Sequence, residues 1–234
     1  RNTANSYIAP QLLCDYSFDA TVQGNGCATL GITPQPLSGA YARLIWESGT
    51  QTNSIIASLS YDGRRISFRT GSRQGNALIG LFDAWGNCIW SWHIWVASYN
   101  PDSSAQTYAS GAVFMDRNLG AIGTDYTQSA ACGLYYQWGR KDPFPGTTAF
   151  TIMNEDYTYE VDGEPEVYDI DNRVLPKFGL TAEFHGTIEK SVQNPAVFYA
   201  MTYKHTGVED EYGEEIVEND YKTGDWVDVS NDDY

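Results

Sequence analysis

The densest group of chemically active side chains lies in the stretch "GLYYQWGRKDPF", which covers residues 133–144. It places aromatic rings beside two cations and a carboxylate. An aromatic ring offers a flat apolar face to the C–H groups of a sugar, and charged neighbours supply oriented hydrogen bonds. The side chains that could form such a ligand-binding site are Tyr135, Trp138, Arg140 and Asp142. Sugar recognition is therefore one of two interpretations of this stretch.

The same stretch also fits a purely structural role. Leu134, Tyr136 and Trp138 have the alternation of a strand that points its apolar residues toward a core. Arg140 and Asp142 would then form a local ion pair that fixes the turn. The sequence favours this structural interpretation, and sugar recognition is its alternative.

Calcium is the one cofactor that the sequence suggests. Carboxylate and amide oxygens, which calcium prefers as ligands, gather in "YDIDN" and in "DVSNDD", residues 228–233. The first stretch offers Asp169, Asp171 and Asn172. Neither stretch has the D-x-D-x-D-G run of a dedicated calcium loop. We expect no obligatory cofactor, with those three residues as the calcium alternative.

Catalytic signatures are missing from the sequence. The chain has no G-x-S-x-G, H-E-x-x-H, G-x-G-x-x-G or Walker pattern, and it has only three histidines, His93, His185 and His205. A carboxylate pair for glycoside hydrolysis can come from acids anywhere in a fold, so a glycan-active enzyme stays an alternative. The sequence predicts a protein that is not an enzyme and has no catalytic residues.

Charge is divided unevenly along the chain. Residues 1–150 hold nine acidic and nine basic side chains, whereas residues 151–234 hold 21 and five, which gives the net charge of −16. Nucleic acid is a poor partner because phosphate binding needs clustered cations. No apolar run is long enough to insert into a membrane as a helix. An acidic surface of this kind is typical of a protein that must stay soluble after export.

Four cysteines occur at positions 14, 27, 88 and 132. Their spacing matches no zinc or C-x-x-C redox pattern. In an exported chain an even number permits two disulfides, and Cys14 with Cys27 is the simplest pair. Buried free thiols are the equal alternative.

Seven short strands separated by turn signals are predicted in the first hundred residues. Their segments are "NSYIAPQLL", "YSFDATVQ", "AYARLIWES", "NSIIASLSY", "RISFRT", "NALIGLFD" and "CIWSWHIWVAS". Asp62-Gly63 predicts a type I′ hairpin between two of them. This spacing of strands and turns predicts a mainly β chain with an immunoglobulin-like β-sandwich over residues 1–105. A connector over residues 97–111 leads to a second unit, residues 106–234, with long acidic, tyrosine-rich loops.

The seventh strand has two different faces. Trp90, Trp92, Ile94 and Val96 alternate on one face, which predicts a core, whereas Ser91, His93 and Trp95 lie on the other. The mixed second face is expected to contact the part of the chain that follows. We interpret His93 as a structural histidine at that contact.

Several segments resemble a known bacterial family. "FMDRNLGA" at 114–121, followed by "GLYYQWGRKDPF", is similar to exported proteins of the Fibrobacter succinogenes major paralogous domain group. The upstream "NALIGLFDAWGNCIWSWHIWV", "ANSYI" and "RLIWES" also resemble segments of such proteins. In "DRNLG" we expect Asp116, Arg117 and Asn118 to hold a turn.

The resemblance implies a β-sandwich followed by an α+β C-type-lectin-like domain on an extracellular or fimbria-associated protein. Its expected role is that of a non-catalytic adhesin, with a glycan or a host or bacterial surface protein as partner. The alternative is a structural pilus subunit or assembly module that binds other fimbrial subunits. Relatives continue into a segment resembling "YDPCPAGWRVP", which this sequence lacks, so we expect the lectin-like domain to be incomplete.

Overall fold

Seven strands in the first hundred residues form two sheets. A computed structural model describes residues 3–49, 51–137, 139–145, 180–181, 187–199, 203–209, 211–213 and 215–219, and within them the chain is mainly β, as predicted. The strands are β1 (Ser6–Ala9), β2 (Asp15–Asp19), β3 (Tyr41–Glu47), β4 (Ile56–Tyr61), β5 (Arg65–Thr70), β6 (Gly75–Phe82) and β7 (Cys88–Val96). Each lies within one residue of a predicted segment.

The strands are divided between a four-stranded and a three-stranded sheet. Their orders are β1-β7-β6-β3 and β2-β5-β4. All neighbours are antiparallel except β1 and β7, which run parallel, with Ser6 opposite His93 and Ala9 opposite Val96. A parallel pair needs a long connection, and here the remaining five strands provide it.

The main core lies between the two sheets, because inward residues of both belong to one buried cluster. Its members are Ala9, Ala20, Leu44, Ile55, Ile56, Ile66, Phe68, Ala77, Ile79, Leu81, Trp92, Ile94 and Val96. Trp92, Ile94 and Val96 come from the face of β7 that the sequence predicts to be core. Burial of each large side chain stabilises the fold by roughly 1.5–3 kcal/mol.

The loop between β2 and β3 closes over this core. The Trp92 indole Nε1 donates to the Gly24 carbonyl at 2.9 Å, and the Tyr7 hydroxyl donates to the same oxygen at 3.0 Å. Gly24 has φ +57°, and a Cβ there would lie 2.6 Å from the Ala4 carbonyl oxygen. Glycine is therefore required at this position.

The hairpin between β4 and β5 differs from the predicted type I′ turn. Gly63 has φ +92°, but Asp62 does not have the positive φ that a type I′ turn needs. Instead, its carboxylate accepts the backbone N–H groups of Arg64 at 2.9 Å and Arg65 at 2.7 Å. The aspartate stabilises the turn through its side chain, and the predicted type I′ turn with Asp62 as a central residue is wrong.

The later elements are short. They are α1 (Pro101–Ser104), β8 (Gln106–Thr107), β9 (Val113–Phe114), β10 (Leu134–Tyr135), β11 (Phe144–Pro145), β12 (Leu180–Thr181), α2 (Ile188–Gln193), β13 (Phe198–Tyr199), β14 (Tyr203–Glu209) and β15 (Glu215–Asn219). They form four two-stranded pairs: β8 with β9, β10 with β11, β12 with β13, and β14 with β15. Neither described helix has the length or the apolar character to cross a bilayer.

Residues that follow the sandwich pack on the outer face of the four-stranded sheet. Phe144 is fully buried there, and Leu134 and Ala196 pack beside it. The sheet contributes Ile45, Trp46, Leu78, Phe82 and Cys88 to this second cluster. The predicted boundary near residue 105 stays a prediction, but the chain on its two sides shares this apolar contact.

All four cysteines are free thiols. The Cys14 thiol contacts the Gln11 side-chain oxygen at 3.4 Å, and the Cys27 thiol lies 3.9 Å from the Asn25 carbonyl oxygen. The cysteines are therefore unpaired, as in the second alternative, but only Cys88 is buried.

Candidate functional site

A buried polar cluster joins the predicted site stretch to β7. The Asp142 side chain is completely buried. It accepts a hydrogen bond from the Ser91 hydroxyl at 2.8 Å and from the Lys141 ammonium group at 2.7 Å to each oxygen. Lys141 also donates to the Ser91 carbonyl at 3.2 Å and lies 4.5 Å from the centre of the Trp90 ring.

Ser91 and Lys141 have the residue types of a nucleophile and its base. Burial lowers the pKa of Lys141, although the adjacent Asp142 carboxylate opposes that shift. Ser91 and Asp142, however, have no solvent-exposed surface, so a substrate has no access to the hydroxyl. The neighbouring Cys88 thiol is also inert, because burial raises its pKa to about 12. The cluster stabilises the contact between the two parts of the chain.

Arg140 points away from this cluster. Its guanidinium donates to the carbonyl oxygens of Asn194, Pro195 and Val197, at 3.1, 2.6 and 2.5 Å, and lies 4.6 Å from the centre of the Phe144 ring. The predicted Arg140–Asp142 ion pair is therefore wrong. Asp142 pairs with Lys141 because its carboxylate points at β7, whereas Arg140 holds the segment that follows α2.

The three described residues of the predicted sugar site do not share a surface. Tyr135 is on the surface of β10, with 55% of its area exposed, but Arg140 and Asp142 are buried and bound to other parts of the protein. A ligand could reach neither of them without opening the fold. Trp138 lies outside the described residues.

The calcium candidates Asp169, Asp171 and Asn172 also lie outside the described residues. In the part of the chain that the structure describes, no group of three or more histidine, cysteine or acidic side chains gathers to hold a metal ion. The calcium alternative therefore stays a prediction.

His93 has a structural position on the outer face of β7. The Asn76 amide Nδ2 donates to the Gly120 carbonyl at 2.9 Å, so its oxygen accepts from His93 Nε2 at 3.0 Å. The other ring nitrogen, Nδ1, then accepts from the Ser6 hydroxyl at 3.1 Å. Burial lowers the pKa of His93 to about 3, so the ring is neutral. His93 thus orients Asn76, which makes the contact with the "DRNLG" turn.

An open groove follows β9 and includes this turn. It has a volume of about 700 Å³. Its lining consists of Val113, Phe114, Met115, Asp116, Arg117, Asn118, Leu119, Gly123, Thr124, Tyr126 and Ala131. The stretch that carries the family resemblance, residues 114–121, thus supplies about half of these residues.

Aromatic rings stand at the rim of the groove. Phe114 is 60% exposed, and its ring packs edge-on against Tyr108 at 5.6 Å between centroids. The β8–β9 hairpin fixes this pair through the Tyr108 N–H, which donates to the Ala112 carbonyl at 2.9 Å. Tyr126 is 92% exposed. Two flat apolar surfaces therefore face solvent at one site.

A neutralised ion pair forms the polar part of the groove. Arg117 donates to both Asp116 oxygens, at 2.9 and 3.0 Å, and its guanidinium stacks over the Tyr99 ring at 4.2 Å. The hydrogen bond from Arg117 lowers the pKa of Asp116. Because each charge is compensated by the other, the groove is suited to an uncharged polar ligand.

The turn below the ion pair is tightly packed. The Ala121 N–H donates to the Asn118 carbonyl at 3.0 Å, as expected for a turn that "DRNLG" forms. Gly120 has φ +86°, and a Cβ there would lie 2.4 Å from Leu134 Cγ. The groove is therefore preformed on a rigid base, which lowers the entropic cost of binding.

The residue types of "DRNLG" predict a structural turn and do not reveal the groove. The available signal was the run Val113-Phe114-Met115, three consecutive apolar residues without the alternation of a half-buried strand. In the structure all three are exposed. Tyr126 had no such signal, since a single tyrosine in a polar loop is ordinary.

No protein-family model, curated protein or solved structure matches the chain.

Proposed function

We propose that residues 1–105 form an immunoglobulin-like sandwich and that a lectin-like unit follows it. The strand order supports the first part: β3, β6 and β7 share one sheet and β2, β4 and β5 the other, as the C, F, G and the B, D, E strands do in that fold. The second part rests on the resemblance of "FMDRNLGA" and "GLYYQWGRKDPF" to the exported bacterial family.

We further propose that the protein is a non-catalytic, glycan-binding adhesin of the outer cell surface or of fimbriae. The observation that carries this proposal is the preformed groove, in which Phe114 and Tyr126 stand beside the Asp116–Arg117 pair. Sugar sites combine aromatic faces with a few fixed polar groups in this way. Because both charges are compensated, a neutral saccharide fits better than an anionic one.

The buried state of the reactive side chains supports binding rather than catalysis. Ser91, His93 and Cys88 are each at most 3% exposed, so none of these nucleophile or base candidates faces the groove. One shallow site binds weakly, and useful adhesion would need many copies on a fibre or a cell.

A glycan array with the wild-type chain and Phe114→Ala tests the proposal. We expect wild type to bind a neutral glycan and Phe114→Ala to bind it at least about tenfold more weakly, because an exposed aromatic contact for the sugar is lost. Leu30→Ala is the matched control, since Leu30 is a fully exposed apolar residue outside the groove lining. Release of reducing sugar by wild type would instead support the enzyme alternative.

Two outcomes would contradict the adhesin proposal. One is the absence of binding across a broad array by well-folded wild type. The other is stable stoichiometric complexes with fimbrial subunits without any glycan, which would favour the assembly module. Circular dichroism and a thermal melt of each variant separate loss of binding from loss of folding.

A further inference from the structure

The hairpin tip between β6 and β7 displays a tryptophan away from the groove. Trp85 is 87% exposed, whereas Trp46, Trp92 and Trp95 are buried. Such a ring contributes little to the fold's own packing. The turn needs only the backbone N–H of this residue, which donates to the Asp83 carboxylate at 2.9 Å.

The tip is rigid because one carboxylate organises it. Asp83 also accepts the Asn87 backbone N–H and the Asn87 side-chain amide, both at 2.8 Å. The Asp83 N–H donates back to the Asn87 carbonyl at 3.0 Å, and Gly86 supplies a φ of +93°. Trp85 is therefore held on a fixed backbone, and a ligand need not order the turn when it binds.

A second aromatic side chain stands beside the tip. Tyr41 is 39% exposed and stacks on Phe82, with 5.4 Å between ring centroids and 9° between their planes. Its hydroxyl lies 3.8 Å from the position that a Cβ on Gly86 would occupy. The phenol is a hydrogen-bond donor and acceptor at the edge of the surface that carries Trp85.

The charges next to the tip are already bound. The Asp83 carboxylate accepts three N–H groups, and the hydrogen bond from Asn87 is the main cause that lowers its pKa. The Arg43 guanidinium lies over the Phe82 ring at 4.9 Å from its centre. The Asp83 charge is therefore compensated, and the aromatic surface that the tip exposes is itself uncharged, which suits a neutral molecule.

We infer that Trp85 and Tyr41 form a second binding site, which takes a pyranose ring of a neutral polysaccharide. The ring would stack on the indole, and the Tyr41 hydroxyl and the indole N–H would bind sugar hydroxyls. A peptide side chain needs a pocket that removes it from water, whereas the Asp83–Asn87 tip presents an open ring. A sugar that has C–H groups on one face needs only that ring.

This site is independent of the groove. Asn76, which contacts Gly120 below the groove, is near the start of β6, whereas the Asp83–Asn87 tip follows its end. At about 3.3 Å per residue, the strand separates the two sites by roughly 20 Å. A short oligosaccharide therefore cannot occupy both, and the two sites can be tested separately.

Affinity electrophoresis of the full chain tests the second site. Wild type is run in native gels containing neutral polysaccharides: mixed-linkage β-glucan, xyloglucan, galactomannan, arabinoxylan, dextran or glycogen. For at least one of them we expect Trp85→Ala to lower the affinity by about fivefold or more, since a central ring is removed. Trp85→Phe, which keeps a flat ring, should retain most of the binding, and Leu30→Ala should equal wild type.

Tryptophan fluorescence supplies a second readout. The same polysaccharide should shift the emission of wild type to the blue as the exposed indole stacks on sugar. In Trp85→Phe this shift should vanish although binding remains. Retention unchanged in Trp85→Ala, or no retention of wild type by any polysaccharide in the panel, would overturn the inference. A change in oligomeric state in Trp85→Ala would overturn it in favour of a protein contact.

A parallel run of Tyr126→Ala separates this inference from the proposed function. If the groove binds no sugar, Tyr126→Ala behaves as wild type while Trp85→Ala still loses retention. If only the groove binds sugar, Trp85→Ala behaves as wild type and Tyr126→Ala loses retention.

Discussion

The segment around Lys141–Asp142 and the segment around Asp116–Arg117 each combine an ion pair with aromatic rings, but their surroundings differ. Asp142 has no exposed side-chain area and Phe144 is fully buried, whereas Asp116 is 20% exposed and Phe114 is 60% exposed. The first segment is covered because β7 offers Ser91 and Trp90 as partners. Similar residue types therefore become buried or stay exposed according to the surface on which they pack.

Removal of the buried carboxylate should give the largest effect. Asp142→Ala leaves the Lys141 ammonium group buried without its partner, so we expect the free energy of unfolding to fall by about 3–5 kcal/mol. Urea denaturation measures it. The double change Lys141→Met with Asp142→Leu removes both charges and should recover much of the loss. If Asp142→Ala were as stable as wild type, the interior position of this cluster would be wrong.

The turn below the groove can be tested with two glycines. Gly120→Ala places a Cβ 2.4 Å from Leu134 Cγ at φ +86°, whereas Gly111→Ala, at φ +82°, meets no atom within 4 Å. Both variants place an alanine at a positive φ, so that backbone cost is common to them. The difference between their free energies of unfolding therefore reports the packing around the added Cβ. We expect Gly120→Ala to be destabilised by about 1–3 kcal/mol more than Gly111→Ala, measured by thermal or urea unfolding. Equal losses would show that the turn is not tightly packed.

The neutral histidine should make stability depend on pH. Because the pKa of His93 is lowered to about 3, the unfolded chain binds more protons than the folded one below about pH 6.5. Stability is therefore lost as pH falls from about 6.5 toward 3, by up to roughly 1.4 kcal/mol per pH unit for this group. The measurement is the difference in unfolding free energy between wild type and His93→Gln across this range.

Glu47 acts in the opposite sense. Burial raises its pKa, so its contribution to stability is lost as pH rises through the folded value. Because His93→Gln leaves Glu47 in place, its contribution cancels in the difference between the two proteins. Parallel pH profiles for wild type and His93→Gln would contradict a buried neutral His93.

The partly exposed Asp116–Arg117 pair should matter less than the buried Lys141–Asp142 pair. Arg117→Lys keeps the positive charge but loses the two-point contact with Asp116 and the flat stack on Tyr99. We expect a loss of about 1 kcal/mol in the free energy of unfolding, together with weaker glycan binding. A loss as large as that of Asp142→Ala would show that the two segments are equally structural.

Local alternation predicts the sandwich strands well. Each of the seven strands has residues whose apolar side chains face one sheet surface, as with Trp92, Ile94 and Val96 in β7. The parallel pairing of β1 with β7 could not be foreseen, because it joins segments about 85 residues apart. No local pattern encodes such a contact.

The candidate site was less predictable than the fold. The sequence could not tell that Asp142 pairs with Lys141 and Ser91, because Ser91 lies 51 residues upstream. It also could not tell that Phe114 and Tyr126 are exposed, since exposure is decided by what else covers a residue. The residue types also do not reveal that Arg140 and Asp142 are buried, since burial depends on segments distant in the sequence.

The most direct measurement compares the glycan affinities of two tyrosine variants. A glycan that binds wild type is titrated by calorimetry into Tyr126→Ala, in the groove, and into Tyr135→Ala, in the stretch from which the sequence offers a candidate sugar site. The proposal predicts that Tyr126→Ala binds at least about tenfold more weakly, with its unfolding free energy changed by less than about 0.5 kcal/mol, while Tyr135→Ala binds like wild type. Loss of binding in Tyr135→Ala with full affinity in Tyr126→Ala would contradict the groove as the site.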